Sequence, residues 1–118
     1  SAYHNGKNIT INYDIGNITL PITKAIPCGL IINELVVNAF KYAFTGIEDC
    51  RINISFSRMD GNIEMSISDN GTGLPGKIDL ETSETLGYTI IRELSSQLDA
   101  EYSVRNENGT TVTFKFAY

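Results

Sequence analysis

The stretch that decides the fold is Pro27-Cys-Gly-Leu-Ile-Ile-Asn-Glu-Leu-Val-Val-Asn-Ala-Phe-Lys-Tyr-Ala-Phe44. Proline is suited to the first turn of a helix, and after Pro27 the apolar residues recur at the spacing of an amphipathic helix. These residues are Leu30, Ile31, Leu35, Val36, Ala39, Phe40 and Ala43. The pattern changes at Thr23, and it predicts a long helix that ends near Thr45–Gly46.

The segments before this helix alternate apolar and polar residues, as half-buried strands do. Ile9–Tyr13 predicts a strand with Ile9, Ile11 and Tyr13 on one face. Ile18–Ile22 predicts a second, short strand, which Pro21 restricts to a sheet edge or an exit from the sheet.

The segments after the helix predict two hairpins with a second helix between them. Arg51–Met59 and Ile63–Ile67 alternate on either side of Asp60–Gly61, which is a typical hairpin turn. Residues 70–85 have a loop composition, and Leu86–Leu98 carries apolar residues at helical spacing. A last hairpin, with strands at 101–105 and 111–116, follows it.

The order of strands, helix, two strands, helix and two strands favours an α+β fold. We expect a two-layer sandwich in which helices cover one face of a mixed, mostly antiparallel sheet. The chain has 118 residues, so a single domain over residues 1–118 is expected.

Charge and composition exclude several classes of function. The net charge is −5, the wrong sign for binding a phosphate backbone, so we expect no nucleic-acid partner. Cys28 and Cys50 show neither a disulfide nor a zinc-site spacing. Because no apolar run approaches the roughly 20 residues that cross a bilayer, we expect no membrane contact. From composition alone, the expected form is a soluble cytoplasmic protein.

A polar face interrupts the apolar helix. Glu34, Asn38 and Lys41 are four and three residues apart, which places a carboxylate, an amide and an amine along one side. Taken alone, this face is more typical of a solvated stripe than of a functional site.

Three glycine motifs have the same ambiguity. Asp69-Asn-Gly-Thr-Gly73 follows a predicted strand, but on its own it also fits a tight turn. Thr85-Leu-Gly-Tyr88 opens the second helix, where it fits either an anion site or a helix cap. Asn108-Gly-Thr-Thr111 is most simply a hairpin turn.

Together these motifs resemble a known family. Asn33-Glu-Leu-Val-Val-Asn-Ala-Phe-Lys-Tyr-Ala-Phe44 resembles the N box, and Asp69-Asn-Gly-Thr-Gly-Leu-Pro75 the first glycine box, of the ATP-binding domain shared by histidine kinases, gyrase, Hsp90 and MutL. The resemblance runs from Ile9 to Phe116 and is strongest to sensor histidine kinases with glutamate at the position of Glu34. It implies the Bergerat ATP-binding fold, with ATP and Mg²⁺ as ligands.

The resemblance implies roles for the residues of the helix. Glu34 would be the catalytic residue, which orients or deprotonates the attacking group. Asn38 would bind ATP through Mg²⁺, as a metal ligand. Lys41 would neutralise phosphate charge, and Tyr42 would lie against the nucleotide.

The same resemblance implies an adenine pocket. Asp69 would accept a hydrogen bond from the adenine amino group, and Gly71 and Gly73 would let the backbone pass close to the base. Thr110 would flank this pocket.

At the second helix, the resemblance implies a phosphate site. Gly87, with the amides of Leu86 and Tyr88, would hold phosphates at the helix start, and residues 74–85 would form a lid over the nucleotide. The family commonly has more glycines here than Gly87 alone, which leaves the shape of this cradle open.

The function that the resemblance implies is that of the ATP-binding catalytic domain of a two-component sensor histidine kinase, which transfers the γ-phosphoryl group of ATP to a histidine. His4 is the only histidine and lies on no predicted helix. The acceptor is therefore expected on a histidine-containing dimerisation domain of the same parent kinase, with a response regulator downstream. Two alternatives stay open: a nucleotide-binding or docking module without phosphotransfer, and an anti-sigma-type serine kinase of the same fold.

Overall fold

The structure is a computed structural model that describes residues 2–4, 7–40, 46–71, 86–106 and 108–118. Over these residues the chain forms six strands and two helices. They are β1 (Ala2–His4), β2 (Lys7–Asp14), α1 (Ile22–Asn38), β3 (Asp49–Met59), β4 (Asn62–Asp69), α2 (Leu86–Gln97), β5 (Glu101–Arg105) and β6 (Thr110–Ala117).

The strands form one mixed sheet in the order β1-β2-β3-β4-β6-β5. Only β2 and β3 pair in parallel among the described strands, and the other pairs are antiparallel. The predicted α+β sandwich with a mixed, mostly antiparallel sheet is confirmed.

Both helices pack on the same face of this sheet. Alternate residues of β3, β4 and β6 are buried there and share one core with α1 and α2. The largest of these fully buried side chains are Tyr88, Phe114, Phe116, Ile31, Ile52, Ile63, Met65, Ile91 and Leu98. The opposite face is polar, with side-chain hydrogen bonds such as that between the hydroxyls of Ser66 and Thr113, 3.0 Å apart.

The predicted hairpin around Asp60–Gly61 is confirmed. Met59 pairs with Asn62, so the turn has two residues, and both have positive φ, 52° at Asp60 and 78° at Gly61. Such a turn matches the twist of the flanking strands.

The predicted strand at Ile18–Ile22 is wrong. Residues 17–20 are irregular, and Ile22 is the first residue of α1. The carbonyl oxygen of Pro21 accepts hydrogen bonds from the amides of Lys24 and Ala25, both at 2.9 Å. These bonds start the helix and leave no extended segment to pair with the sheet.

The predicted bounds of α1 also need correction. The helix begins at Ile22, so Pro27 lies inside it, buried, and not in its first turn. The regular α-helix ends at Asn38 and continues as a wider π-helical turn at residues 39 and 40. The predicted end near Thr45 lies outside the described residues, and Gly46 has a φ of 77°.

Two crossover connections bring one end of each helix to the same end of the sheet. Because β2 and β3 are parallel neighbours, α1 must run back between them and finish where β3 starts. Both β4 and β5 are antiparallel to β6, so they run in the same direction. The connection through α2 must therefore run back along the sheet from the end of β4 to the start of β5. The C-terminus of α1 and the N-terminus of α2 therefore lie near Asp69. We call the end of the sheet that contains Asp69 the Asp69 end. The opposite end of the sheet, which contains the Asp60–Gly61 turn, is called the hairpin end.

Candidate functional site

Asp69 is the last residue of β4, and its side chain lies on the helix-covered face. It continues the alternation of Ile63, Met65 and Ile67, which are buried on that face. Its carboxylate is half-buried, and Oδ1 accepts hydrogen bonds from the amides of Gly71 at 2.9 Å and Thr110 at 3.3 Å. The structure therefore brings together three of the predicted site residues, Asp69, Gly71 and Thr110.

The electrostatics of Asp69 follow from this position. Burial raises the pKa of its carboxyl group above the ordinary value, and the hydrogen bonds from Gly71 and Thr110 lower it in part. Both bonds end on Oδ1, and Oδ2 has no hydrogen-bond partner among the described residues. An ionised carboxylate only accepts hydrogen bonds, so Oδ2 is suited to a ligand that donates one.

Gly109, in the turn directly before β6, packs against Asp69. It is buried with a φ of 112°, and a Cβ atom at this position would collide with the carbonyl oxygen of Asp69. Next to it, the buried Thr110 donates a hydrogen bond from Oγ1 to Oδ1 of Asn106 at 3.0 Å. The turn between β5 and β6 is thus fixed against the end of β4.

The sequence pattern predicts only a hairpin turn at Gly109. The turn is confirmed, but its contact with Asp69 depends on two strands that are adjacent only in the folded sheet. The sequence signal that could have found it is a glycine directly before a residue already assigned to the site, Thr110.

Glu34 and Asn38 lie one turn apart on α1, and both are half-buried rather than fully solvated. The amide nitrogen Nδ2 of Asn38 is buried and has no hydrogen-bond partner among the described residues. Buried polar atoms are usually paired, so this amide is available for a ligand. Glu34 forms no ion pair with any residue in the described part of the chain.

The amide of Asn38 fits the chemistry of Mg²⁺. Within the described ranges, no group of three or more His, Cys, Asp or Glu residues could form a metal cage. Mg²⁺ bound with nucleotide needs no such cage, because it takes one or two protein oxygens and completes its shell with phosphates and water. Rotation of the amide by a half turn exchanges its nitrogen for its oxygen, so the same buried position can present a hard ligand.

At the start of α2, the structure describes the backbone of Leu86 and Gly87. The first amides of a helix have no partner within the helix, and the helix dipole favours an anion there. The side chain of Tyr88 is 1% exposed and belongs to the core, so only its backbone could meet a ligand at the surface.

Three predicted site residues, Lys41, Tyr42 and Gly73, lie outside the described residues, as does the predicted lid at 74–85.

Both cysteines are buried, and neither is in a disulfide. Burial raises the pKa of the Cys28 thiol to about 11, an effect that nearby Lys24 partly offsets. The Cys50 thiol donates to the carbonyl oxygen of Ile47 at 3.4 Å. A protonated, buried thiol is a poor nucleophile, so Cys28 has no evident part in the chemistry of the site.

In the described part of the chain, no helix combines the length and the apolar character needed to cross a membrane.

Comparison with known proteins gives matches over most of the chain. Residues 23–118 match the family model described as histidine kinase-, DNA gyrase B- and HSP90-like ATPases. The chain is 30% identical over 106 residues to blue-light-activated histidine kinase 2 of Erythrobacter litoralis, covering 88% of this chain and 31% of that protein. It is 34% identical over 90 residues to sensor histidine kinase PdtaS of Mycobacterium tuberculosis, covering 73% of this chain and 18% of the relative.

A solved structure has the same fold. The histidine kinase domain from the Erythrobacter litoralis EL346 blue-light-activated histidine kinase superimposes with a TM-score of 0.85 at 28% identity, over 92% of this chain and 51% of that one. The chain thus spans about a third or less of the length of these two curated relatives.

Proposed function

The chain belongs to the family of histidine kinase-, DNA gyrase B- and HSP90-like ATPases, and from this premise we propose that it is the ATP-binding catalytic domain of a two-component sensor histidine kinase. In this proposal it binds Mg·ATP and transfers the γ-phosphoryl group to a histidine on a separate dimerisation domain. The observation that carries the proposal is the half-buried Asp69 carboxylate, with one oxygen held by the backbone and the other available to a donor.

Adenine is the base that suits this carboxylate. The amino group of adenine donates a hydrogen bond to Oδ2 of Asp69, whereas guanine presents a carbonyl oxygen at the corresponding position. Two acceptors facing each other in a partly desolvated pocket leave both unpaired, which costs about 1–3 kcal/mol. Asp69 therefore selects ATP over GTP.

The polar face of α1 serves the phosphates. Asn38 would hold Mg²⁺ through its amide oxygen, and the ion would supply positive charge to the phosphates of the nucleotide. Glu34, one turn earlier, orients or deprotonates the attacking imidazole. The half-buried position of both side chains supports these roles over that of a solvated stripe.

The remaining contacts follow the family resemblance. The amides of Leu86, Gly87 and Tyr88 bind phosphate oxygens at the start of α2. Lys41 adds positive charge, Tyr42 lies against the nucleotide, and Gly73 lets the backbone approach the base. Catalysis rests mainly on positioning and charge neutralisation, because phosphoryl transfer requires little covalent participation by the protein.

The partners follow from the reaction. The two curated relatives are named as histidine kinases and are several times longer than the matched region, which supports a parent protein that carries the acceptor histidine on its dimerisation domain. A response regulator then receives the phosphoryl group. The proposed location is cytoplasmic, where ATP is available.

Phosphotransfer in the parent kinase tests this proposal. With ATP labelled in the γ-phosphate, we expect an acid-labile label on a histidine. Asn38→Ala should abolish labelling and weaken Mg²⁺-dependent binding, whereas Glu34→Ala should reduce transfer more than binding. The matched control is Glu64→Ala, which removes an exposed carboxylate at the hairpin end and should leave labelling unchanged.

Two results would contradict the proposal. An acid-stable label would indicate a serine or threonine kinase of the same fold. ATP binding without any transfer in the parent protein would indicate a nucleotide-binding module.

A further inference from the structure

Asn70 is the residue between Asp69 and the turn at Gly71, and it forms three hydrogen bonds with the main chain of β3. Its amide N–H donates to the carbonyl oxygen of Arg51 at 3.1 Å. Its side-chain oxygen Oδ1 accepts from the N–H of Arg51 at 2.7 Å, and its Nδ2 donates to the carbonyl oxygen of Asp49 at 2.8 Å. All the partner atoms belong to the backbone.

These bonds extend the ladder between β3 and β4 by one pair. The regular register ends with Ile52 opposite Asp69, so Arg51 is next in line with Asn70. In an antiparallel hydrogen-bonded pair, the two residues exchange both of their N–H···O bonds. Here the side-chain oxygen of Asn70 takes the place of its main-chain carbonyl, which leaves the main chain free to turn away from the sheet.

The sharp exit of the chain positions the Asp69 carboxylate. Directly after Asn70, the N–H of Gly71 returns to Oδ1 of Asp69 at 2.9 Å, the bond of an Asx turn. From the other side, the N–H of Thr110 donates to the same oxygen. If the chain left the sheet at a different residue, the N–H of Gly71 could not reach Oδ1 of Asp69. The carboxylate would then no longer be held with Oδ2 towards the ligand.

We propose that Asn70 is a positioning residue for recognition of the nucleobase. By fixing residue 70 to β3, it aims Oδ2 of Asp69 at the amino group of the base and so sets the preference for adenine. This inference rests on the proposed function, because it assigns Asn70 to the same ATP site. It differs from a simple turn-forming role in that its effect passes through Asp69.

The test compares ATP with inosine triphosphate, in which a carbonyl replaces the amino group of adenine. Titration calorimetry on the 118-residue chain should show that Asn70→Ala binds Mg·ATP about tenfold more weakly, the scale expected for one well-placed hydrogen bond. Affinity for Mg·ITP should stay unchanged. Equal loss of affinity for both nucleotides would overturn the inference, because it would indicate a general loss of structure.

Asn53→Ala is the matched control. Asn53 is an exposed asparagine on β3 whose Oδ1 accepts from Nδ2 of Asn12 at 3.1 Å, on the polar face of the sheet away from Asp69. This variant removes an equal side chain from β3, the strand to which Asn70 is bonded, and should keep the wild-type affinity for both nucleotides.

A double-mutant cycle shows whether Asn70 acts through Asp69. In an Asp69→Ala background, Asn70→Ala should cost no further affinity, because the group that it positions is gone. Equal losses in both backgrounds, or unchanged ATP affinity in Asn70→Ala, would overturn the inference while leaving ATP binding intact. Failure of the wild-type chain to bind Mg·ATP would instead overturn the proposed function, and this inference with it.

Discussion

Two turns of similar composition, Asp60–Gly61 and Asn108–Gly109, lie at opposite ends of the sheet and differ in what surrounds them. At the hairpin end, Asp60 and Gly61 have φ angles of 52° and 78°, and a Cβ on Gly61 would meet no atom within 4 Å. At the Asp69 end, Asn108 and Gly109 also have positive φ, but a Cβ on Gly109 would collide with the Asp69 carbonyl. The first turn only reverses the chain, whereas the second also fixes a residue of the candidate site.

Alanine at the two glycines should therefore give the largest difference. Gly61→Ala puts a residue with a Cβ atom at a position with left-handed backbone conformation. This lowers the free energy of unfolding by about 1 kcal/mol. Gly109→Ala has unfavourable backbone geometry and also displaces the main chain of Asp69, so we expect a loss of about 3 kcal/mol or more. Urea denaturation of both variants measures these losses.

The same pair of variants also separates stability from binding. Gly61→Ala should keep wild-type ATP affinity under conditions where it is folded, and Gly109→Ala should not. Equal destabilisation by the two substitutions, with equal ATP affinities, would show that the turns do not differ in the way described.

Removal of the Asp69 side chain should have the next largest effect. Asp69→Ala leaves the adenine amino group unpaired, which lowers ATP affinity by about ten- to a hundredfold, or 1–3 kcal/mol. Glu64→Ala, on the same strand but at the hairpin end, should not change it. Calorimetry with Mg·ATP gives both values, and an Asp69→Ala variant with wild-type affinity would remove the adenine assignment.

The sequence predicted the parts of the fold that depend on local patterns. Alternation identified the strands of the hairpin around Asp60–Gly61, and helical spacing identified α2 to within one residue of its end. The pattern failed at Ile18–Ile22, because strand-like alternation there was overridden by the helix start at Pro21. It also placed Pro27 in a first turn, although tertiary packing accommodates this proline inside α1.

The candidate site was predictable only in part. Asp69, Gly71 and Thr110 were found through motifs, and the structure adds the hydrogen bonds that join them. Gly109 and Asn70 were treated as turn residues, because their contacts with Asp69 and with β3 arise from strand pairing between distant segments. Sequence spacing along a single segment carries no information about such pairing.

The smallest expected effect concerns stability at the Asp69 end. Burial raises the pKa of the Asp69 carboxyl group, so the ionised form lowers the stability of the fold at neutral pH. Asp69→Asn keeps an oxygen for the amides of Gly71 and Thr110 but carries no charge. We expect this variant to unfold at a slightly higher temperature than the wild type at pH 7.

The pH dependence of that difference follows from the direction of the pKa shift. Because the pKa is higher in the folded than in the unfolded state, the wild type gains stability as the pH falls through the folded-state pKa. The difference between wild type and Asp69→Asn should therefore close on acidification. Thermal unfolding at several pH values measures this difference, and a difference that widens at low pH would contradict a raised pKa of Asp69.

The proposed function requires that the Asp69 end of the sheet binds adenine nucleotides. The most direct measurement is calorimetric titration of the 118-residue chain with Mg·ATP and, in parallel, with Mg·GTP. We expect saturable binding of Mg·ATP and weaker binding of Mg·GTP, by about tenfold or more. No binding of Mg·ATP at millimolar nucleotide, or equal affinities for the two, would contradict it.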